Sequence, residues 1–144
     1  MKFERFVKKV IPHGVTLTVC GEKWLSSGKM FVKIPEWCGQ MGVESKENDI
    51  LNNFLNESEW GDKPAELSRA YLPDADSKAK DIIRVFSDGE NEVAINNEQF
   101  SLIEKHDMCL IASIGTDVNY ATALLIGKRS DIDDFDPDAI ILEV

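Results

Sequence analysis

Ile82-Ile83-Arg84-Val85-Phe86-Ser87-Asp88-Gly89-Glu90-Asn91-Glu92-Val93-Ala94-Ile95 is the stretch whose reading decides the fold. Ile82, Ile83, Val85 and Phe86 form a β-branched and aromatic run, and Glu92 to Ile95 resumes it. The Asp88-Gly89 pair between the two runs is a strong hairpin signal, because glycine takes positive φ without a Cβ clash. Directly afterwards Asn96-Asn97 offers a helix N-cap, Glu98 sits at the positive end of the helix dipole, and Phe100 and Ile103 have the spacing of one buried helical face. Lys105 and His106 fall in the expected last turn, where cations are favoured. Met108 to Ile114 and Tyr120 to Ile126 are apolar runs around Gly115-Thr116-Asp117-Val118-Asn119, which predicts a second hairpin, and their near-continuous apolarity predicts strands covered on both faces. From Asp81 to Gly127 the expected order is strand, turn, strand, helix, hairpin.

Outward from this centre the same signals recur. Phe3, Phe6, Val7, Val10 and Ile11 follow the amphipathic-helix template, with Lys2, Arg5, Lys8 and Lys9 on the outward side and Pro12 and Gly14 as terminators. Val15, Leu17 and Val19 alternate with polar residues as a half-buried strand. Met30, Val32 and Ile34 alternate with Lys29, Phe31 and Lys33 as a second, fed by a turn at Ser26-Ser27-Gly28. Glu36 to Gly42 has no period and reads as a loop. Ile50, Leu51, Phe54 and Leu55 predict another helix between Ser45 and Glu57, capped by Ser45 or Asn48. Glu59 to Pro64 is a breaker cluster, Ala65 to Leu72 reads as a strand leading into Pro73, and Ala139 to Val144 as the terminal strand.

These elements predict a single α+β domain over residues 1–144, with a mainly antiparallel β-sheet of two or more hairpins packed with two to three α-helices. A length of 144 residues, 43% hydrophobic and 29% charged, is enough for one core without disulfides or a structural metal. Cys20, Cys38 and Cys109 are too far apart for a CxxC redox or zinc pair, which predicts a reducing cytoplasm. The N-terminus has no uninterrupted apolar core of an export signal, and no stretch approaches the ~20 apolar residues of a membrane helix, so no membrane association is expected.

The charge is uneven. The net charge is −10, yet residues 1–33 hold seven Lys or Arg (Lys2, Arg5, Lys8, Lys9, Lys23, Lys29, Lys33) against Glu4 and Glu22, so the acidic excess lies beyond Lys33. An acidic protein with one basic helix face can steer towards a basic partner through most of its surface and towards an anion through the rest. Offsetting the chain by 93 residues sets Val7 against Phe100, Val10 against Ile103, His13 against His106 and Leu17 against Leu110, which reads as an internal helix-plus-hairpin pseudo-repeat. As architecture, this element order over roughly half the chain resembles the processivity clamps of DNA polymerases, without any shared signature residue.

The chemistry of sites is sparse. Gly28-Lys29 lacks the earlier glycine and the following Ser or Thr of a phosphate loop, and no nucleophile elbow, HExxH or dinucleotide fingerprint occurs. His13 and His106 each follow an expected helix end and have no partner legible in sequence, so no catalytic residue is assigned and no cofactor is expected. Asp131, Asp133, Asp134, Asp136 and Asp138 form an acidic run, but no frame places Gly and Glu where a calcium loop needs them, so it reads as a solvated loop or a weak divalent-cation site. The leading expectation is a non-enzymatic protein that binds another macromolecule, as inhibitors, immunity proteins and regulatory adaptors do. The alternatives are a nucleic-acid-associated protein using Lys2, Arg5, Lys8 and Lys9, and a metal-dependent enzyme using the Asp131 to Asp138 carboxylates.

Overall fold

The structure is a computed structural model that describes residues 1–10, 15–19, 22–27, 29–35, 43–45, 54, 59–115 and 120–143; the side chains of 8–10, 15–19, 27, 43–45, 115 and 120 lie outside the description. Helix α1 (Phe3–Val10) is followed by β1 (Val15–Val19), β2 (Glu22–Ser27), β3 (Met30–Lys33), β4 (Val43–Ser45), β5 (Glu59–Trp60), β6 (Glu66–Tyr71), β7 (Ile83–Ser87), β8 (Glu92–Asn96), a one-turn helix α2 (Asn97–Phe100), β9 (Asp107–Gly115), β10 (Tyr120–Lys128) and β11 (Pro137–Leu142). Among the described residues the strands form an eight-stranded sheet, β4-β1-β2-β3-β11-β10-β9-β5, and a three-stranded sheet, β6-β7-β8. Every pairing is antiparallel except β1 with β4.

The large sheet is apolar on both faces, because its strands alternate between two cores. Ile111 and Cys109 of β9, Leu124 and Ile126 of β10 and Ala139 and Ile141 of β11 pack with Phe6 of α1, Leu102, and Phe86, Val93 and Ile95 of the small sheet. Met108, Leu110, Ala112, Ala123, Leu125 and Ile140 face the other way, onto Trp24, Phe31, Phe54 and Phe135. The two-sided burial predicted for β9 and β10 is therefore observed. Gly127 lies where the β10–β11 register shifts, and a Cβ there would come within 2.7 Å of the Asp136 carbonyl oxygen and 2.9 Å of the Phe135 ring. The absent side chain lets the chain after β10 fold back over the second core.

The Asp88-Gly89 turn forms as expected. Gly89 has φ +97°, the Asp88 carboxylate accepts from the amides of Glu90 at 2.9 Å and Asn91 at 2.7 Å, and Ile83 to Ser87 pair in register with Asn96 to Glu92. Asn96 caps α2 reciprocally with Gln99, at 2.8 and 3.0 Å. Four expectations need correction. The helix after Asn96 stops at Phe100, so Ile103, Lys105 and His106 are not helical. The reason is a turn closed by Glu104 and Asp107, whose backbone and carboxylate bonds at 3.0 and 2.8 Å redirect the chain into β9. The Ser26-Ser27 turn is instead the end of β2, an unpredicted strand between β1 and β3, because Trp24 and Leu25 are buried on opposite faces and two ladders hold the polar residues around them. Phe31 does not face solvent but is buried in the second core. The breaker cluster at Glu59 begins with the short strand β5, paired to Ser113 and Ala112.

Two short helices are described, and Phe54 is helical and buried. Pro12, Gly14, the loop at 36–42, Cys20, Cys38, His13 and the rest of the helix expected between Ser45 and Glu57 lie outside the described residues; Ser45 itself ends β4. No helix among the described residues is long and apolar enough to cross a membrane.

Candidate functional site

β6 differs from the other strands whose side chains are described in having no buried or half-buried residue. All six of its residues are exposed. It is one of the two edges of the small sheet and is held by its ladder to β7, from Glu66↔Ser87 to Tyr71↔Ile83, with a bulge between Leu67 and Arg69. Leu67 is 48% exposed, Tyr71 43% and Leu72 50%, and these are the exposed large hydrophobic residues among those described. Single exposed apolar residues are ordinary; their gathering on one strand and its exit is what needs a reason.

The register says how this surface is shaped. Arg69 pairs with Val85, which in turn pairs with Ala94, and the Arg69 guanidinium reaches across to Glu92 at 3.3 Å while also lying 5.7 Å from the Tyr71 ring centroid. Val85 is only 3% exposed, so the outer face of the sheet has a patch roofed by that ion pair. On the inner side the Arg84 guanidinium lies 4.1 Å from the Phe100 ring centroid and donates to the Asn97 side chain, which ties the small sheet to α2.

Next to the Tyr71–Ile83–Asn96 row opens a cleft of about 810 Å³, walled by Asp74, Asp76, Asp81, Lys80 and Glu98. Its loop is pinned by local bonds that the sequence itself provides. Asp74 and Ser77 exchange bonds at 3.0 and 3.1 Å, and Lys78 and Asp81 do so at 2.9 Å around a 3-10 turn over Ala79–Asp81. The acidic wall is therefore in place before anything binds.

A second recess, about 630 Å³, lies under the N-terminus and is lined by Met1, Lys33, His106, Asp107, Lys128 and Asp138. The Met1 ammonium is paired with Asp107 at 2.7 Å, both 5% exposed, and with Glu104 at 3.6 Å. Lys33 bridges Glu22 at 3.0 Å and Asp136 at 3.2 Å beside the Trp24 ring; burial opposes its charge, but the two carboxylates outweigh this and hold its pKa above the usual lysine value. Burial raises the Asp138 pKa against the pull of Lys33 and Lys128, with Asp136 adding to the rise. The charges in this recess are mostly satisfied by one another, so it offers less to a ligand than its composition suggests.

No protein-family model, curated protein or solved structure matches this chain. The site reading therefore rests on geometry.

The residues singled out from sequence fall elsewhere. Lys2, just before α1, and Arg5 within it are exposed while Phe6 is buried, and the side chains of Lys8 and Lys9 lie outside the described residues. Asp131, Asp133, Asp134 and Asp136 are exposed, with Asp136 engaged by Lys33, and Asp138 is half-buried in β11. Among the described residues no group of three or more His, Cys, Asp or Glu is set to hold a metal ion. His106 is 71% exposed, near Glu104 at 3.4 Å and Asp107 at 3.8 Å. The Cys109 thiol is buried, and burial together with Asp107 pushes its pKa up to about 12, which leaves it protonated and unreactive. The exposed strand was missed as a site because its only signal was Leu67, Tyr71 and Leu72 in a strand pattern, and such a pattern ordinarily means burial.

Proposed function

We propose that this chain, as a single α+β domain, is a non-enzymatic protein-binding module of the inhibitor, immunity or regulatory-adaptor type, working in a reducing cytoplasm and engaging a protein partner through β6. One observation carries the reading: the exposed large apolar side chains, Leu67, Tyr71 and Leu72, are gathered on an edge strand bordered by carboxylates. A polar-rimmed apolar patch is the ordinary composition of a protein interface. The test is site-specific photo-crosslinking in the native host, with a photoreactive amino acid in place of Leu67 or Tyr71 and, as control, of exposed Asp133. Discrete protein adducts from 67 and 71 but not 133 are expected; equal labelling at all three, or none, overturns the reading.

Exposed Arg5 on α1 and Lys2 just before it favour a second reading, a nucleic-acid-associated protein of clamp-like architecture in which α1 with β1 and β3, and α2 with β9 and β10, are the two pseudo-repeats. It requires DNA or RNA binding at low salt that falls steeply as salt rises and is lost in Lys2→Glu/Arg5→Glu. Acidic Glu98 on the second helix works against it, since both helices of such an architecture would have to face phosphates.

A further inference from the structure

We propose that β6 receives an extended, basic and apolar segment of the partner protein as a fourth strand of the small sheet, with the segment's Lys or Arg side chains over the Asp74, Asp76 and Asp81 cleft. This rests on the protein-binding reading above and names the partner's chemistry. The strand order β6-β7-β8 leaves one side of β6 without a pairing strand among the described residues, and the exposure of all six β6 residues keeps that side accessible. An open edge presents a row of backbone donors and acceptors that another extended chain can satisfy.

Proteins usually blunt such edges with charge, proline or a bulge. Here the bulge lies between Leu67 and Arg69, and from Arg69 to Tyr71 the register with Val85 to Ile83 is regular. The part of the edge left regular carries Tyr71 and runs on into Leu72, with Arg69 as its charged residue and Pro73 directly after it.

Charge selects the occupant. A strand laid along β6 and continuing past Tyr71 runs towards Asp74 and Asp76 of the loop that follows, whose cleft opens over the Ile83 and Asn96 ends of β7 and β8, with Lys80 as the opposing charge in its wall. A second copy of this chain would bring another protein of net charge −10 to the edge. Like-charge approach disfavours that pairing, as it disfavours a polyanion, whereas a cationic segment is attracted and oriented. The apolar face of the same segment would cover Tyr71, which pairs with Ile83, whereas Leu67 pairs with Phe86 and so lies on the opposite face of the sheet.

The probe is a short acetylated peptide alternating Lys and Val, titrated into the isotopically labelled full chain at low salt, with backbone amide exchange read across residues 66–72. Saturable binding with Kd below about 1 mM is expected, with slowed exchange confined to β6 and its neighbours. The same peptide methylated at every backbone amide, and one with Glu in place of Lys, should bind at least about tenfold more weakly, and Asp74→Asn/Asp76→Asn should weaken the parent peptide several-fold. Equal binding of the methylated peptide overturns strand addition while leaving the crosslinking result, and with it the protein-binding reading, intact. Absence of binding, or protection elsewhere, overturns the proposal too. A concentration-dependent dimer that disappears in Leu67→Glu would make a second copy the occupant and likewise overturn it.

Discussion

β9–β10 and β6–β7 are both antiparallel ladders, yet they sit at opposite ends of what a sheet can bury. Along β10, Ala123, Leu124, Leu125 and Ile126 are each 0% exposed, because consecutive residues enter two different cores. Along β6 every residue is exposed, and the strand is held by its ladder to β7 and the Arg69–Glu92 ion pair. Burial of apolar area is the main stabilising term in folding, whereas backbone bonds exchanged with water add little net free energy. The first ladder therefore carries stability, and the second is free to carry recognition.

Three substitutions test that contrast, in falling order of effect. Leu124→Ala removes a fully buried side chain that nothing can readily replace, and urea denaturation should show a loss of about 2–5 kcal/mol. A loss under about 1 kcal/mol would mean that the large sheet is not the stabilising half. Gly89→Val places a β-branched residue at φ +97° in the β7–β8 turn; the cost should be roughly 1 kcal/mol or more, because the strain is backbone strain although the space there is open. An unchanged denaturation midpoint would detach that turn from the stability of the small sheet. Leu67→Ser should shift unfolding by no more than about 0.5 kcal/mol, since the side chain is already 48% exposed, while reducing whatever binds at β6. A large destabilisation would show that β6 supports the fold, and the contrast would fail.

Much of the fold was legible where the physics is local. The Asp88-Gly89 turn, the Asn96 cap and the paired runs of β9 and β10 each follow from a few neighbouring residues, and each formed as expected. α1 follows from the spacing of Phe3, Phe6 and Val7. β2 was illegible because Glu22, Lys23, Ser26 and Ser27 carry no strand signal of their own; β1 and β3 impose the extended conformation from either side. α2 was read too long because Phe100 and Ile103 both reach the core, but through a turn whose geometry depends on the Glu104–Asp107 bonds. The acidic cleft was legible residue by residue, as Asp74, Asp76 and Asp81, but not as one wall.

The sequence by itself determined the Asp88-Gly89 turn, the extended runs of β7 to β10, where the helix after Asn96 begins, and that the charge is acidic beyond a basic N-terminal stretch, since these depend on local sterics, capping and charge count. Only the tertiary structure decided which strands are covered and which are edges. Sheet order is set by contacts between distant residues, as Met1 with Asp107 and β3 with β11 show. β10 is buried on both faces between two neighbouring strands, whereas β6 lies in solvent with β7 on one side and, among the described residues, no strand on the other.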